Sequence, residues 1–256
     1  RFITRRRLEV SALRLAYESD RSVTDIALSS GYSSPSNFSK AFAAYFGCSP
    51  TDVRQPGGAV PQSVGKLMTV YGKDFRPEDM YALPPERDEE VLRRISAAWD
   101  ERVRFETSGG RDFACLSSPG GYELATVEET WAELLRAAHH LGIVEEDVDA
   151  WGVSHDSPQV TAPELCRYDA CVPCPASAAL PPPLFRGHMP AGRDAIFTYE
   201  GPVAGLNDAY REIYSCWFPL SIMSPETFTP YERYVDDGPR DGRIRQEIWM
   251  RARPRR

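Results

Sequence analysis

The chain has 256 residues, 42% of them hydrophobic and 26% charged, which is the composition of core-forming protein and excludes disorder along its whole length. No stretch approaches the roughly eighteen uninterrupted apolar residues of a spanning helix, and Arg1, Arg5, Arg6 and Arg7 lead into no apolar export segment, so neither membrane insertion nor secretion is expected. The net charge of −7 divides unevenly: residues 1–55 carry eight Lys/Arg against five Asp/Glu, which is +3 at the front and −10 for the remainder, the sign pattern of one domain that meets phosphate and one that does not.

Leu8, Ala12, Leu15 and Ala16 recur at helical spacing and predict an amphipathic helix over about 4–18 with a cationic start. Ser22 then caps a second helix from Val23 to Ser30, which Gly31 ends. Ser34-Pro35-Ser36 supplies a cap with proline in the first turn, where its missing N–H costs nothing, and Phe38, Ala41, Phe42 and Tyr45 run down one face of the helix it opens. That is a helix-turn-helix in outline, with Ile26, Ala27, Phe38, Phe42 and Phe46 as its small core. Residues 56–66 (PGGAVPQSVGK) read as a linker, and 67–102 as a helical connector with Val91, Leu92, Ile95 and Trp99 turned inward.

From Val103 strands and helices alternate, and the pattern runs twice. A strand near 113–118, Gly120-Gly121 and a helix with Trp131, Leu134, Leu135, Ala138 and Leu141 inward form one unit. A strand near 195–199, Gly201-Pro202 and a helix with Leu206, Tyr210, Ile213, Tyr214 and Trp217 inward form the other. Asp112 to Asp194 is 82 residues and Trp131 to Tyr210 is 79, a period near eighty. Further strands at 151–155, 167–173 and 244–250 would complete two sheets. The expected fold class is therefore multidomain: an all-α helix-turn-helix part (1–55), a connector (56–102), and an α+β domain (103–256) with two pseudo-symmetric β-α-β halves meeting at a cleft.

The stretch Ser22-Val23-Thr24-Asp25-Ile26-Ala27, Gly31-Tyr32, Ser34-Pro35-Ser36-Asn37-Phe38-Ser39, Phe42, Phe46-Gly47 and Ser49-Pro50 resembles the second helix-turn-helix of AraC/XylS-family regulators, and Phe2 to Glu9 resembles that family's central connecting helix. The resemblance implies DNA as a partner, with Ser34, Ser36, Asn37, Ser39 and Lys40 at the groove. The family has two such motifs and only the second is present here, so weak DNA binding is expected of these residues alone. Opening on Arg1 is compatible with a piece of a longer protein.

Residues 103–252 resemble the GyrI-like effector-binding domain of Rob-type and BmrR-type multidrug regulators. The residues that carry this are Gly120-Gly121-Tyr122, Pro163-Glu164, the run Arg167 to Pro173, Gly201-Pro202, Tyr231-Glu232-Arg233-Tyr234 and Glu247-Ile248-Trp249-Met250. The resemblance implies a cleft between related halves, lined by aromatics, with an acid from the last strand. By that pattern Glu247 is the candidate anion, with Tyr122, Trp151, Tyr168, Tyr199, Trp217 and Tyr231 as candidate walls, a lipophilic cation as effector and RNA polymerase as a possible contact. The expected function is a one-component transcription regulator in the cytoplasm, with no cofactor and no catalytic residue. The alternative is a small-molecule hydrolase or drug-sequestering protein with a vestigial helix-turn-helix, in which Tyr231, Glu232 and Glu247 would handle water and a proton.

Cys171-Val-Pro-Cys174 has CxxC spacing but no second pair, so no metal site is expected, and the six scattered cysteines are expected as reduced thiols. His139 and His140 are adjacent on a helix and point about 100° apart.

Overall fold

The computed structural model describes residues 2–18, 20–54, 89–144, 148–157, 161, 165–235 and 242–255. Four helices open the chain: α1 (Phe2–Tyr17), α2 (Val23–Ser29), α3 (Pro35–Phe46) and α4 (Pro50–Arg54). Local chemistry sets their ends. Ser22 accepts from the backbone N–H of Asp25, whose carboxylate accepts from the N–H of Ser22, so two of the orphan donors at the helix start are satisfied reciprocally. Ser34 caps α3 through the N–H of Asn37, Pro35 fills the first helical position, and Gly47 ends the helix at φ 75, where a side chain would be strained. Ile26, Ala27, Phe38, Phe42 and Phe46 are buried against Leu8, Ala12 and Leu15 of α1. Tyr45, expected on that face, is instead exposed and donates its hydroxyl to buried Glu9.

After α5 (Glu89–Asp100) the chain forms one nine-stranded sheet. The strands are β1 (Val103–Ser108), β2 (Arg111–Ser117), β3 (Trp151–Ser154), β4 (Tyr168–Pro173), β5 (Phe185–Met189), β6 (Gly192–Pro202), β7 (Met223–Pro225), β8 (Tyr231–Tyr234) and β9 (Arg243–Pro254), in the order β1-β6-β9-β8-β3-β4-β2-β5 with β7 paired to β9. The order is its own mirror. β3-β4-β2-β5 and β8-β9-β6-β1 are the same arrangement, joined where β3 pairs antiparallel with β8 and Gly152 faces Glu232. Two separate sheets were expected; instead that pairing satisfies the inner edge strand of each half and leaves no open edge between them.

Each half lays one helix on the same face of the sheet. α6 (Leu124–His140) covers β2 and β4 through Leu134 and Ala138, whereas Leu141, expected inward, is the exposed helix end. The second helical span has three parts, α7 (Leu206–Glu212), a π-turn (Ile213–Trp217) and α8 (Phe218–Leu220), and it covers β6 and β9 through Ala209, Ile213 and Trp217. The π-turn stands just before Pro219, which has no N–H to give the ladder. α5 packs on this second span: Trp99 donates to Glu212, and Trp217 donates to Asp100. The expected linker at 56–66 lies outside the described residues.

Candidate functional site

The two helices leave a strip of sheet between them, occupied by β3 and β8. Antiparallel partners share a face, so Glu232, Gly152, Ile248 and Ala170 all point to the helix side, and Glu232 becomes the floor of the strip. It is 4% exposed, and Tyr122, Trp131, Tyr210 and Tyr234 around it are half-buried, with the Tyr210 and Tyr234 hydroxyls turned in toward the carboxyl. Tyr210 from α7 donates to Glu232 Oε1 at 2.6 Å, and Ser154 from β3 donates to the same oxygen at 2.9 Å. Tyr234 is bonded to the carboxyl as well. Behind it runs a relay: Trp131 of α6 donates to the Tyr168 hydroxyl at 3.0 Å, and the Tyr168 and Tyr234 hydroxyls are 2.7 Å apart. The indole only donates, so Tyr168 accepts from Trp131; when Tyr234 gives its one proton to the ionised carboxylate, it must in turn accept from Tyr168.

Gly152 is required here for space. A Cβ at that position would lie 2.6 Å from the Tyr168 hydroxyl, so the ring rests directly on the strand. Burial raises Glu232 above the usual carboxylate range, and the three hydroxyl donors only partly offset it. Among the described residues no arginine, lysine or histidine pairs with it. Burial likewise raises Tyr210, Tyr234 and Tyr168 well above the ordinary tyrosine value, so all three remain neutral donors. A buried carboxylate with hydroxyl donors but, among the described residues, no countercharge, set among aromatic side chains, is an arrangement that a cation would complete.

Residues 101–253 match the family described as the GyrI-like small molecule binding domain. The chain belongs to that family. Residues 1–56 match a helix-turn-helix domain family of AraC type. An AraC-type helix-turn-helix joined to a GyrI-like domain is the architecture of a DNA-binding regulator with a small-molecule-binding domain. Among solved structures, the chain is similar to EcmrR in its DNA complex, at 12% identity and TM-score 0.51, covering 88% of this chain and 85% of that one. It is also similar to a hydrolase from Listeria innocua (8% identity, TM-score 0.46, covering 59% and 92%) and to SAV2435 bound to tetraphenylphosphonium (10% identity, TM-score 0.37, covering 59% and 93%). No helix among the described residues is long and apolar enough to cross a membrane.

Of the seven residues expected to line the GyrI-like cleft, the structure brings two to Glu232. Tyr168 belongs to the relay, and Tyr122 meets it edge-on at 6.5 Å between ring centroids. Glu247 is placed elsewhere. It pairs with Arg233 on β8 and so lies on the opposite face, where Arg104 approaches at 2.9 Å, Arg233 at 3.8 Å, and the Trp249 indole donates to it. Burial pushes its pKa up, but these partners prevail and hold it below the ordinary value. Trp151 and Tyr231 share that face: Trp151 is fully buried against Phe113 and Trp249 with Arg111 over its ring, and Tyr231 stacks on Phe113. Tyr199 is on the cleft face, but its hydroxyl donates to the Pro202 carbonyl. Trp217 lines a separate groove of about 380 Å³ with Asp100, Phe105 and Ile222.

Glu232, Tyr210, Tyr234 and Trp131 are the cleft residues that the wall assignment missed. In the sequence, Glu232 stands out only as an acid of the hydrolytic alternative. The signal that finds them is the repeat: Trp131 and Tyr210 occupy equivalent places 79 residues apart, and Glu232 stands 80 after Gly152. Gln246, on the same face beside Tyr234, is fully buried, and neither amide atom is bonded among the described residues.

On α3, Ser36, Asn37 and Lys40 are exposed and Ser39 is half-buried, whereas the Ser34 hydroxyl is committed to the cap and the Asn37 amide rests on Ser33. The CxxC thiols do not face each other, since Cys171 contacts Cys115 at 2.8 Å and Cys174 meets Arg186. Ser117 and His155 both bind Asp169, which puts the carboxylate between them, so the histidine cannot activate the serine.

Proposed function

We propose that the chain is a transcription regulator whose cleft takes an aromatic, lipophilic cation, with Glu232 as countercharge. The observation that supports the reading is a buried carboxyl that has hydroxyl donors but no ion-pair partner among the described residues, with the half-buried side chains of Tyr122, Trp131, Tyr210 and Tyr234 near it. Each cation–ring contact contributes about 0.5–2 kcal/mol, and the carboxylate gains most because it is desolvated before the ligand arrives. Exposed Ser36, Asn37 and Lys40 would meet DNA, with RNA polymerase as a further contact and the cytoplasm as the place of action.

The test is a tryptophan-fluorescence titration of the 256-residue chain with tetraphenylphosphonium and with neutral triphenylphosphine oxide, followed by mass spectrometry of the recovered compounds. Saturable binding of the cation at least tenfold tighter than the neutral compound is expected; equal affinity for both removes the charge from the reading. A second reading, hydrolysis, has one observation in its favour: a carboxyl of raised pKa bonded to tyrosine hydroxyls suits proton transfer to a small electrophile. In that case an electrophilic ester incubated with the chain is recovered altered, and the loss stops in Glu232→Gln.

A further inference from the structure

The fold also holds a connection between this cleft and the helix-turn-helix. We propose that Asp156 is a latch that carries effector occupancy to α1, through Tyr122 on the cleft side and Arg6 on the DNA-binding side. The inference rests on the cleft reading above and specifies how that site is regulated.

Asp156 follows β3, on the turn just past Ser154, and is 3% exposed. Its carboxylate accepts from Arg167 twice, Nε at 2.7 Å and Nη2 at 3.1 Å, and from the Arg167 backbone N–H at 3.0 Å. The remaining approach is taken by Arg6 Nη1 at 2.9 Å, from a helix 150 residues away in sequence. Arg6 Nη2 donates to the His155 carbonyl and lies 3.4 Å from Thr229, on the loop that leads into β8 and Glu232. One guanidinium of α1 therefore bridges the ends of both central strands.

On the cleft side, the Tyr122 hydroxyl donates to the Asp156 carbonyl and accepts from the Asp156 N–H at 3.1 Å. Its ring meets the edge of Tyr168. A ligand that takes the place of Tyr234 on Glu232 disturbs the Tyr168–Tyr234 hydroxyl pair, and Tyr168 has no room to retreat into the sheet because its hydroxyl already rests on Gly152. The displaced ring moves against its neighbours, and through Tyr122 it reaches the main chain that fixes Asp156. Arg6 and the DNA-binding core share one helix, since Leu8, Ala12 and Leu15 of α1 pack on α2 and α3. Shifting Asp156 thus shifts the frame on which α3 is mounted. Coupling of this kind requires that the ligand favour one arrangement energetically, and broken hydroxyl bonds at Tyr168 supply that difference.

The experiment is backbone hydrogen exchange of α1 in the 256-residue chain, with and without saturating tetraphenylphosphonium, in wild type, Arg6→Met and Tyr122→Phe, with circular dichroism as a check on folding. In wild type the cation is expected to change α1 exchange at least threefold. In Arg6→Met the cation still binds but that change disappears. Tyr122→Phe, without ligand, raises α1 exchange as Arg6→Met does. A cation that binds while α1 exchange stays fixed overturns the latch, as does a wild-type response in Arg6→Met, which is what a merely structural Arg6 would give. If the cation fails to bind, the cleft reading has failed, and Tyr122→Phe decides the latch by itself: raised exchange at α1 keeps it for an effector of other chemistry, and unaltered exchange removes it.

Discussion

Glu232 and Glu247 stand on neighbouring strands of one sheet and differ by the face they occupy. Glu232 faces the helices, is 4% exposed, receives hydroxyl donors and has no ion-pair partner among the described residues. Glu247 faces away and is held by Arg104, Arg233 and the Trp249 indole. The pKa of the first is raised and that of the second is lowered. A carboxylate that is already paired has little left to offer a ligand, whereas one buried without countercharge carries an unmet demand that a ligand can meet. The contrast teaches that acid plus aromatics is not enough to mark a cation site, because both faces have that composition. What separates them is which acid is already neutralised.

The largest expected effect tests that contrast directly. Glu232→Gln should weaken tetraphenylphosphonium binding about a hundredfold, about 2.7 kcal/mol, as judged by fluorescence titration. Glu247→Gln should leave the affinity within twofold, and a loss there as large as at Glu232 would collapse the distinction. In the second variant the effect should appear in urea denaturation instead, as a destabilisation of about 1 kcal/mol, since the ion pairs it breaks are only partly shielded from water. Gln246→Leu should stabilise the ligand-free chain by about 1 kcal/mol by removing two buried polar atoms that are unbonded among the described residues; a destabilised variant would show that the amide has a partner that the apolar side chain cannot replace.

The two acids should also pull the pH dependence of stability in opposite directions. Glu232 is raised above 4.5, so the folded state prefers it protonated: its contribution is complete below 4.5 and is lost as pH rises through the raised value. Glu247 is depressed below 4.5, so its contribution is present above 4.5 and is lost as pH falls through the depressed value. Glu232→Gln should flatten the first slope and Glu247→Gln the second. Cation binding needs ionised Glu232, so affinity should grow as pH rises through its raised value, with a proton released into the buffer. Calorimetry in two buffers of different ionisation heat measures that proton, and identical heats in both would count against it. The smallest expected effect lies in the other domain. Lys40→Ala should lower the salt slope of DNA binding by about one and leave cation affinity within twofold, whereas an unaltered slope would take Lys40 off the phosphate backbone.

The helix-turn-helix was readable because its signals are local. Ser22, Ser34, Pro35 and Gly47 each act within one turn of where they stand, and the three phenylalanines of α3 recur at helical spacing. The cleft was readable only as an outline. Tyr231-Glu232-Arg233-Tyr234 is too short and too polar to show alternation, and which of its side chains faces the helices depends on pairing with Gly152 and Ile248, 80 and 16 residues away. Parity decided the outcome for Glu247: one position along β9 separates the residue facing the helices from the one facing away. Trp151 and Trp217 show the same limit, since an aromatic in a strand or helix is equally at home in a core, and only the packing of Phe113, Trp249 and Phe197 around them says which core. The single sheet escaped because β3 and β8 join over a long sequence distance, which periodicity within either half does not record.

Where the two halves meet, Gly152 faces Glu232. The frame is duplicated and its charge is not. An occupant would therefore find negative charge on one side of the dyad and, on the other, an uncharged glycine covered by the Tyr168 ring, which gives the cleft a handedness that the backbone lacks. A single-headed guest has one favoured way round and a stoichiometry of one per chain, and a guest with two identical charged ends leaves one of them unmatched.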